Sequence, residues 1–500
     1  MAARLSGADA LSLHTQSSRM PGHTLTLAIV DASDQLSHER LHHLVAESLP
    51  RLARFRSRLV PKPLGVGQPL WAEIDDYDPS PQIHCATVRP PGGPREFADL
   101  IADLSTRRLD SRKRLWEAWS IDGLTAGRWA LAVKTSPALN DGAAGAASLW
   151  PRLLTTGPRT ANRLPLEPSL GSAPSVGELV ADTVIESVEN QLTGVWLIAE
   201  AVTGVLQTVR GRLRRMRERE PTPSTSSGIS GPVPHTVFDA PLTRRRAVAF
   251  ASISLADVKT VSDAFGGSIT NVLVAASALS LRAWLQRHDK VPDDPLLMRM
   301  PFELPVTDRR RTAKASTVGR LRIPVHLDDP VQVLANLHTA TERLNSILDG
   351  SSETDSPTIG LESIASLLPP TVAHVGMQLY TRSGLRRQLR PICNGSVSST
   401  AVDPAPAYCA GGKVVGIHTV APLSEESGLN IAFVSRGEEL DVSVCVCPDN
   451  VPAVDDIATG IAHSVDILMA AARKAPRGQG RSVVTEMTTH PANRSRGRPY

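Results

Sequence analysis

The sequence predicts a two-lobed protein of mixed α/β class with a cleft between the lobes. Three observations lead to this fold class. Residues 1–155 alternate between strand-like and helix-like segments, and residues 236–474 resume that alternation. Between them, residues 156–235 have linker-like flanks rich in Pro, Gly and Ser that enclose one long helical stretch. We therefore expect two lobes joined by a helical crossover, followed over 475–500 by a disordered basic tail.

The first lobe opens with an alternating pattern over 25–32 that predicts a strand. Apolar residues at helical spacing follow over 37–52, with Ser37 as a plausible N-cap and Pro50 near the end of the helix. The remaining elements predicted for this lobe are a helix over 98–110, a strand over 128–136 and a helix opening within 142–149.

The second lobe begins with a strand that passes into a helix at an N-cap near Ser254. The segment 428–449 predicts two strands joined by a tight turn with the sequence RGEE. Helices are predicted over 268–288 and, with a strong amphipathic pattern, over 454–474.

The crossover, about 178–220, carries an apolar stripe that predicts packing against the lobes, and it ends in a basic run. The cationic side chains of this run include Arg210, Arg212, Arg214 and Arg215. Two interpretations stay open for them. They form a solvated helix face interleaved with glutamates, or they contact anionic lipid headgroups.

Composition excludes several classes of protein. The net charge is only +4 over 500 residues, which argues against a protein that coats nucleic acid. Five cysteines without a CxxC pair predict neither a disulfide scaffold nor a zinc module, and they suit a reducing cytoplasm. We find no signal peptide and no apolar run long enough to span a membrane. Cys445 and Cys447 share one face of a predicted strand, where we expect core packing.

Many ordered segments resemble the bacterial wax ester synthase/diacylglycerol acyltransferase family, which is abundant in mycobacteria. The resemblance covers roughly 4–470. Its segments in the first half are RLSGADALSLHTQSSRMPGH (4–23), FRSRLVPKPLGVGQPLWAEIDDYD (55–78), PPGG (90–93) and LDSRKRLWE (109–117). In the second half they are FDAPLTRRRAVAFASISLADVK (238–259) and PLSEESGLNIAFVSRGEELDVSV (422–444).

The resemblance implies two chloramphenicol-acetyltransferase-like lobes with a tunnel between them. It also implies transfer of an acyl group from acyl-CoA, as substrate, to diacylglycerol or a long-chain fatty alcohol, with no cofactor and no metal. The family motif HHxxxDG follows a first-lobe strand, and its second His is the general base on the acceptor hydroxyl. A neutral imidazole with a pKa near ~6.5 suits that task at neutral pH.

This chain departs from the motif. The matching positions read Ser136, Pro137, Asp141 and Gly142, so Asp and Gly are present but both His are absent. Because Pro137 has no titratable group, we predict that catalysis is weak or absent unless another group accepts the proton. The candidate substitutes are His23 and His84, which match family positions, although a structural role is the more common one for such histidines.

The resemblance also indicates a substrate cleft, to which it assigns Thr270, Asn271, Gly428 and Asn430. Other family landmarks are altered: the Gly-Asn pair appears as Gly319-Arg320, and the SNVPGP segment appears as SSTAVD over 398–403. His42 and His43 mimic the start of the motif, but they lie within a predicted helix rather than after a strand.

Two functions remain open from the sequence. The first is an impaired diacylglycerol O-acyltransferase of triacylglycerol or wax ester synthesis. The second is a non-catalytic relative that binds acyl-CoA or lipid as a scaffold or regulator. Either would be cytoplasmic, with peripheral contact to the inner membrane face or to lipid droplets, and neither involves nucleic acid.

Overall fold

The computed structural model describes most of both lobes. The described residues are 16–62, 68–74, 77–110, 114–139, 144–158, 166–171, 177–179, 233–303, 316–350, 393–402, 407–424 and 427–474, with 5, 9, 13 and 175. The crossover helix predicted over about 178–220, apart from its first two residues, and the tail over 475–500 lie outside them.

Strands and helices alternate as the sequence predicts. The strands are β1 Thr24–Val30, β2 Ser57–Val60, β3 Leu70–Glu73, β4 Ile83–Thr87, β5 Trp116–Asp122, β6 Trp129–Thr135, β7 Ala247–Ser254, β8 Leu296–Glu303, β9 Ser316–Ile323, β10 Gly395–Val402, β11 Tyr408–Cys409, β12 Gly412–Val420, β13 Leu429–Arg436 and β14 Glu439–Val446. The α-helices are α1 His38–Ser48, α2 Pro94–Thr106, α3 Ala144–Leu153, α4 Leu255–Phe265, α5 Ile269–His288, α6 Pro330–Gly350 and α7 Val454–Lys474.

Local chemistry explains where several helices begin. The hydroxyl oxygens of Ser37 and Ser268 accept hydrogen bonds from the amides of Arg40, at 3.1 Å, and Asn271, at 3.2 Å. These side chains satisfy amides that the first helical turn leaves free, so the predicted N-cap at Ser37 is confirmed. Helix α2 begins at Pro94, earlier than the predicted 98, because proline fits the first helical position, where no amide hydrogen is needed.

The first sheet has the strand order β11-β12-β1-β6-β5-β4. One face is covered by α1 and α3. The opposite face packs against α2 and against second-lobe residues that include Val248 and Cys445. The lobes therefore meet on this second face, and they also meet beside α3, where Val402 and Val434 of the second sheet join the cluster of the first face.

The second sheet has the order β7-β14-β13-β10-β8-β9. Its core face is apolar and packs against α4, α5, α6 and α7. The predicted pair of strands over 428–449 is β13 and β14, and Gly437 closes the turn between them with φ at 62°. The predicted helices over 268–288 and 454–474 are α5 and α7, confirmed to within one residue.

The two halves of the chain do not coincide with the two sheets. Strands β11 and β12 belong to the half that the sequence assigns to the second lobe, over 236–474, yet β12 pairs with β1 in the first sheet. This exchange is a long-range pairing that local sequence patterns do not report.

The described helices were also compared with the length and apolarity that a membrane crossing requires. No single one of them meets the requirement, although α4 and α5, which are bent by 100° at their junction, pass together by length and composition. Helix α5 is largely buried inside the second lobe, as a core helix would be.

Candidate active site between the lobes

The motif position lies where the resemblance predicts it, at the end of first-lobe strand β6. Ser136 is buried, and its amide donates to the carbonyl of Leu115 at 2.9 Å. Pro137 is half-buried and opens a short 3-10 turn, Pro137–Leu139, which the carbonyl of Ser136 closes by accepting from the Leu139 amide at 3.0 Å. Asp141 and Gly142 lie outside the described residues.

His23 lies beside this position. Thr24 pairs with Thr135 across β1 and β6, so His23 and Ser136 stand opposite each other one residue beyond the ladder. The imidazole is buried and its Nε2 lies 2.9 Å from the carbonyl oxygen of Ser105. Because a carbonyl only accepts, Nε2 carries the proton in the neutral ring and Nδ1 carries the lone pair. Nδ1 is buried and has no well-formed hydrogen bond in the part of the chain that is described.

Burial lowers the pKa of the His23 imidazole to about 3, and the positive charge of Lys134 acts in the same direction. The ring is therefore neutral at physiological pH. Its buried Nδ1 can accept a proton only as a weak base.

Lys134 stands on the same face as His23, two residues before Ser136. Its side chain is fully buried, and Nζ donates to the carbonyl of Arg107 at 2.9 Å and to the Glu117 carboxylate at 3.4 Å. Burial lowers the pKa of this ammonium to about 8, against the opposing effect of Glu117. Lys134 and His23 thus both bind carbonyls at the carboxyl end of α2, where positive charge and donors are favourable.

His84 is not brought to the motif position. It lies on β4, two strands away from β6, and its ring packs on Trp119 with the centroids 5.4 Å apart. The backbones of β4 and β6 are therefore separated by two strand spacings, roughly 10 Å. Trp119 pairs with both His84 and Ala132, so Ser136 also lies four residues further along β6.

The four predicted cleft residues fall into two groups. Thr270 and Asn271 lie in the first turn of α5, where the Asn271 amide oxygen accepts from the hydroxyl of Thr341 at 3.0 Å. Gly428 lies just before β13, and a Cβ there would approach the carbonyl oxygen of Phe238 to 2.6 Å, so only glycine fits. Asn430 lies on β13 and faces the first lobe.

Asn430 is buried but only partly paired. Its Nδ2 donates to the hydroxyl of Ser396 at 2.9 Å, while Oδ1 has no partner among the described residues. Exchanging the amide nitrogen and oxygen would leave the other end unpaired, so one end of this amide is unsatisfied in either assignment. The altered segments near it lie on the same sheet: Gly319-Arg320 is on β9, and 398–402 of the SSTAVD segment is on β10.

The structure adds one interlobe residue that sequence reasoning missed. His418 on β12 is buried, with Nδ1 3.3 Å from the Ser443 hydroxyl and its ring 4.4 Å from that of Phe250. Burial lowers its pKa to about 4. The only local signal is a histidine within an alternating strand, and its position between the lobes depends on the strand exchange.

The other sequence-based interpretations have simpler outcomes. His43 is exposed on α1, 3.6 Å from Glu47, and His42 lies on the same helix, as expected for the misplaced motif. Cys445 and Cys447 are buried in the core as predicted. The cationic side chains Arg210, Arg212, Arg214 and Arg215 lie outside the described residues. Within the described ranges, no group of three metal-ligating side chains is placed to hold an ion.

Comparison with known families places these observations in context. The model of the wax ester synthase/diacylglycerol acyltransferase catalytic domain matches residues 5–273, and the model of the C-terminal domain of the same family matches residues 317–469. Two Mycobacterium tuberculosis proteins, each named as a putative diacylglycerol O-acyltransferase, are similar over almost the whole chain. One is 26% identical over 95% of this chain and 92% of its own length, and the other is 27% identical over 94% and 96%.

Solved structures agree on the fold. The wax ester synthase/diacylglycerol acyltransferase from Marinobacter aquaeolei VT8 superposes with a TM-score of 0.65 at 20% identity, covering 94% of this chain and 99% of that chain. A condensation domain of the calcium-dependent antibiotic synthetase superposes with a TM-score of 0.52 at 15% identity, covering 95% and 98%. The two-lobed, chloramphenicol-acetyltransferase-like architecture is thus confirmed. With one family model matching more than half of its residues and a second matching most of the remainder, the chain belongs to the wax ester synthase/diacylglycerol acyltransferase family.

Proposed function

We propose that this protein transfers acyl groups from acyl-CoA to diacylglycerol or a long-chain alcohol, and that its turnover is low because the motif lacks a base. The observation that carries the proposal is Pro137 at the end of β6, in a chain that otherwise matches an acyltransferase family along its length. The two halves of the proposal are separable, because family membership supports the reaction and Pro137 supports the impairment.

In the proposed reaction, the acceptor hydroxyl oxygen attacks the thioester carbonyl carbon. A C–O bond forms, the C–S bond breaks, and the hydroxyl proton passes through a base to the departing thiolate. General-base catalysis of such a step is typically worth about 10²–10⁴-fold. Neither Pro137 nor the hydroxyl of Ser136 supplies it, since an unassisted hydroxyl is a negligible base at neutral pH.

His23 is the substitute base that the geometry favours over His84. It stands opposite Ser136, and its neutral tautomer directs the proton-bearing Nε2 to Ser105 and leaves Nδ1 without a partner among the described residues. A ring with a pKa of about 3 accepts a proton less readily than an ordinary imidazole. Catalysis through His23 would therefore be slower than through a histidine at position 137.

The test measures the turnover of labelled acyl-CoA with diacylglycerol. We expect the double variant Ser136→His/Pro137→His to exceed the wild type by about 10²–10⁴-fold, because it restores the base. Pro137→Ala is the matched control, since it removes the proline ring without adding a base. A wild-type rate as high as that of the double variant would contradict the impairment.

The same assay assigns the residual activity. His23→Gln should lower wild-type turnover further, whereas His84→Gln should leave it unchanged. Equal rates for wild type and His23→Gln would remove His23 as the substitute base.

Pro137 also supports a second candidate, a non-catalytic relative that binds acyl-CoA or lipid. Saturable acyl-CoA binding without turnover, in the wild type and in the double variant alike, would favour this candidate. In either case we propose a cytoplasmic protein that meets its lipid substrates from a peripheral position. The support for this position is the basic sequence that includes Arg210 and Arg212.

A further inference from the structure

Three arginines share one face of the β8–β9 hairpin at the edge of the second sheet. Arg299 pairs directly with Arg320, and Arg322 pairs with Leu297. Directly opposed residues of an antiparallel pair point to the same side. The alternate residues of both strands, Met298 and Leu321 among them, belong to the apolar core on the other side.

Among the described residues, these arginines lack the counterions that such an arrangement normally requires. None of the three has a carboxylate partner there, and Nη2 of Arg322 is buried with no hydrogen-bond partner in the same part of the chain. Like charges that stand directly opposite each other destabilise a sheet. A buried guanidinium nitrogen without an acceptor adds a further cost. Both costs disappear if an anion binds between the side chains.

The arginine face continues into the interlobe region. A single row of paired residues crosses the sheet from edge to edge: Arg320, Arg299, Ser396, Asn430, Cys445 and Val248. Cys445 and Val248 belong to the cluster that packs against the first lobe. The half-paired amide of Asn430 therefore lies two strands, roughly 10 Å, from Arg299.

We propose that Arg299, Arg320 and Arg322 form an anion site that binds phosphate groups of the coenzyme A moiety of acyl-CoA. The proposal rests on the proposed function, which makes acyl-CoA the acyl donor. Guanidinium groups bind phosphate oxygens in a bidentate manner, and two or three of them suit a polyphosphate better than a single carboxylate. The row through Ser396 and Asn430 then leads the pantetheine arm from the sheet edge towards the contact between the lobes.

Arg320 makes this site a property of this particular chain. By the resemblance, the position after Gly319 belongs to an Asn, and here it adds a positive charge directly opposite Arg299. The same phosphate chemistry occurs in anionic lipid headgroups, so the experiment must distinguish the two sources of phosphate.

The test measures equilibrium binding of coenzyme A and of pantetheine, which lacks the phosphates, to the full chain by calorimetry. We expect Arg299→Gln/Arg320→Gln to raise the Kd for coenzyme A about tenfold or more, since one charge-assisted hydrogen bond is worth roughly that factor. The Kd for pantetheine should not change. Arg473→Gln is the matched control, because it removes an exposed charge from α7, on the other side of the second-lobe core.

Thermal unfolding shows whether a loss of binding in the double variant comes from a folding defect. Without ligand, the double variant should have a melting temperature equal to or above that of the wild type, since it relieves a repulsion. It should lose the increase in melting temperature that coenzyme A gives the wild type. Arg320→Lys, which keeps the charge but not the bidentate fork, should lie between the wild type and the double variant.

Three outcomes would overturn the site. If the wild type binds coenzyme A and the double variant binds it equally well, the site is wrong and the proposed function stands. If the double variant instead loses binding only to vesicles containing phosphatidylglycerol, the arginines contact lipid. If the wild type binds neither coenzyme A nor acyl-CoA, the donor assignment fails and the site fails with it.

Discussion

The end of β6 in the first lobe and the β8–β9 edge of the second lobe differ in whether their charged groups are paired. Around Ser136, the Lys134 ammonium and the ring nitrogen Nε2 of His23 each donate a hydrogen bond to a carbonyl at the carboxyl end of α2. At the second-lobe edge, Arg299 and Arg320 face each other without a counterion among the described residues. Polar groups that are already paired stabilise the fold. Buried polar groups without partners, and like charges that oppose each other, are the groups that a ligand can pair.

The largest change in the free energy of unfolding should come from Asp441, a buried carboxylate with several hydrogen bonds. Asp441 is fully buried and accepts from the Ile417 amide at 2.7 Å and from Nε of Arg436 at 3.2 Å, tying β12 to the second sheet. Asp441→Ala should lower the free energy of unfolding by about 3–5 kcal/mol, because it leaves the partly buried guanidinium of Arg436 and the Ile417 amide unpaired. Chemical denaturation measures the loss.

An exposed ion pair of the same lobe is the control for Asp441. Asp449 lies 2.7 Å from Nη1 of Arg245 at the surface, and Asp449→Ala should cost no more than about 1 kcal/mol. Equal losses in the two variants would mean that burial does not separate the two kinds of group.

The next effect is a pH dependence set by Lys134. Its pKa is lowered from 10.5 to about 8 in the folded protein, so between these values the unfolded chain binds more protons than the folded one. Stability contributed by this residue therefore rises with pH over that window, and its full cost is present below pH 8. Lys134→Met should remove a rise on the order of 3 kcal/mol from the pH profile of unfolding.

Lys474→Met is the matched control, because it removes an exposed lysine at the end of α7 and leaves Lys134 in place, so the rise due to Lys134 should persist. A wild-type profile that is flat or falling relative to that of Lys134→Met would contradict the assignment.

The smallest effect should come from the half-paired amide of Asn430. Asn430→Leu loses one hydrogen bond to Ser396 but also removes a buried polar end that has no partner. These opposing terms should leave the free energy of unfolding within about 1 kcal/mol of the wild type. Urea denaturation compares the two proteins.

Asn394, immediately before β10, is the matched asparagine. It is fully buried, its Oδ1 accepts from the Leu297 amide at 3.0 Å, and its Nδ2 donates to the carbonyl of Pro234 at 2.8 Å. Asn394→Leu should cost several times more than Asn430→Leu, since it leaves the buried Leu297 amide and the partly buried Pro234 carbonyl unpaired. A large decrease in the free energy of unfolding for Asn430→Leu would show that this amide also stabilises the fold.

The sequence predicts the helices and strands better than it predicts which strands pair with each other. The predicted caps at Ser37 and Ser254 depend on local chemistry, and the helices that follow begin at the next residue. The position of Pro137 after a strand was also predictable, because the alternating pattern ends there. Patterns of this kind depend only on neighbouring residues.

The parts that escaped prediction depend on strand register and long-range pairing. His23 stands opposite Ser136 only because β1 and β6 pair in one register. The arginine site had a local signal, since Arg320 and Arg322 alternate with apolar residues, but Arg299 joins them only through the β8–β9 pairing. Periodicity assigns a residue to a face without naming the residue across from it.

The strand exchange has a consequence for how the protein is made. β1 lies between β12 and β6, yet β12 is synthesised only after most of the chain has emerged from the ribosome. Until then, the apolar strand β1 is an open edge to which another chain can add. Fragments that end before β12 should therefore associate or precipitate. Attempts to express the first half alone would test the solubility of an unfinished sheet rather than of a lobe.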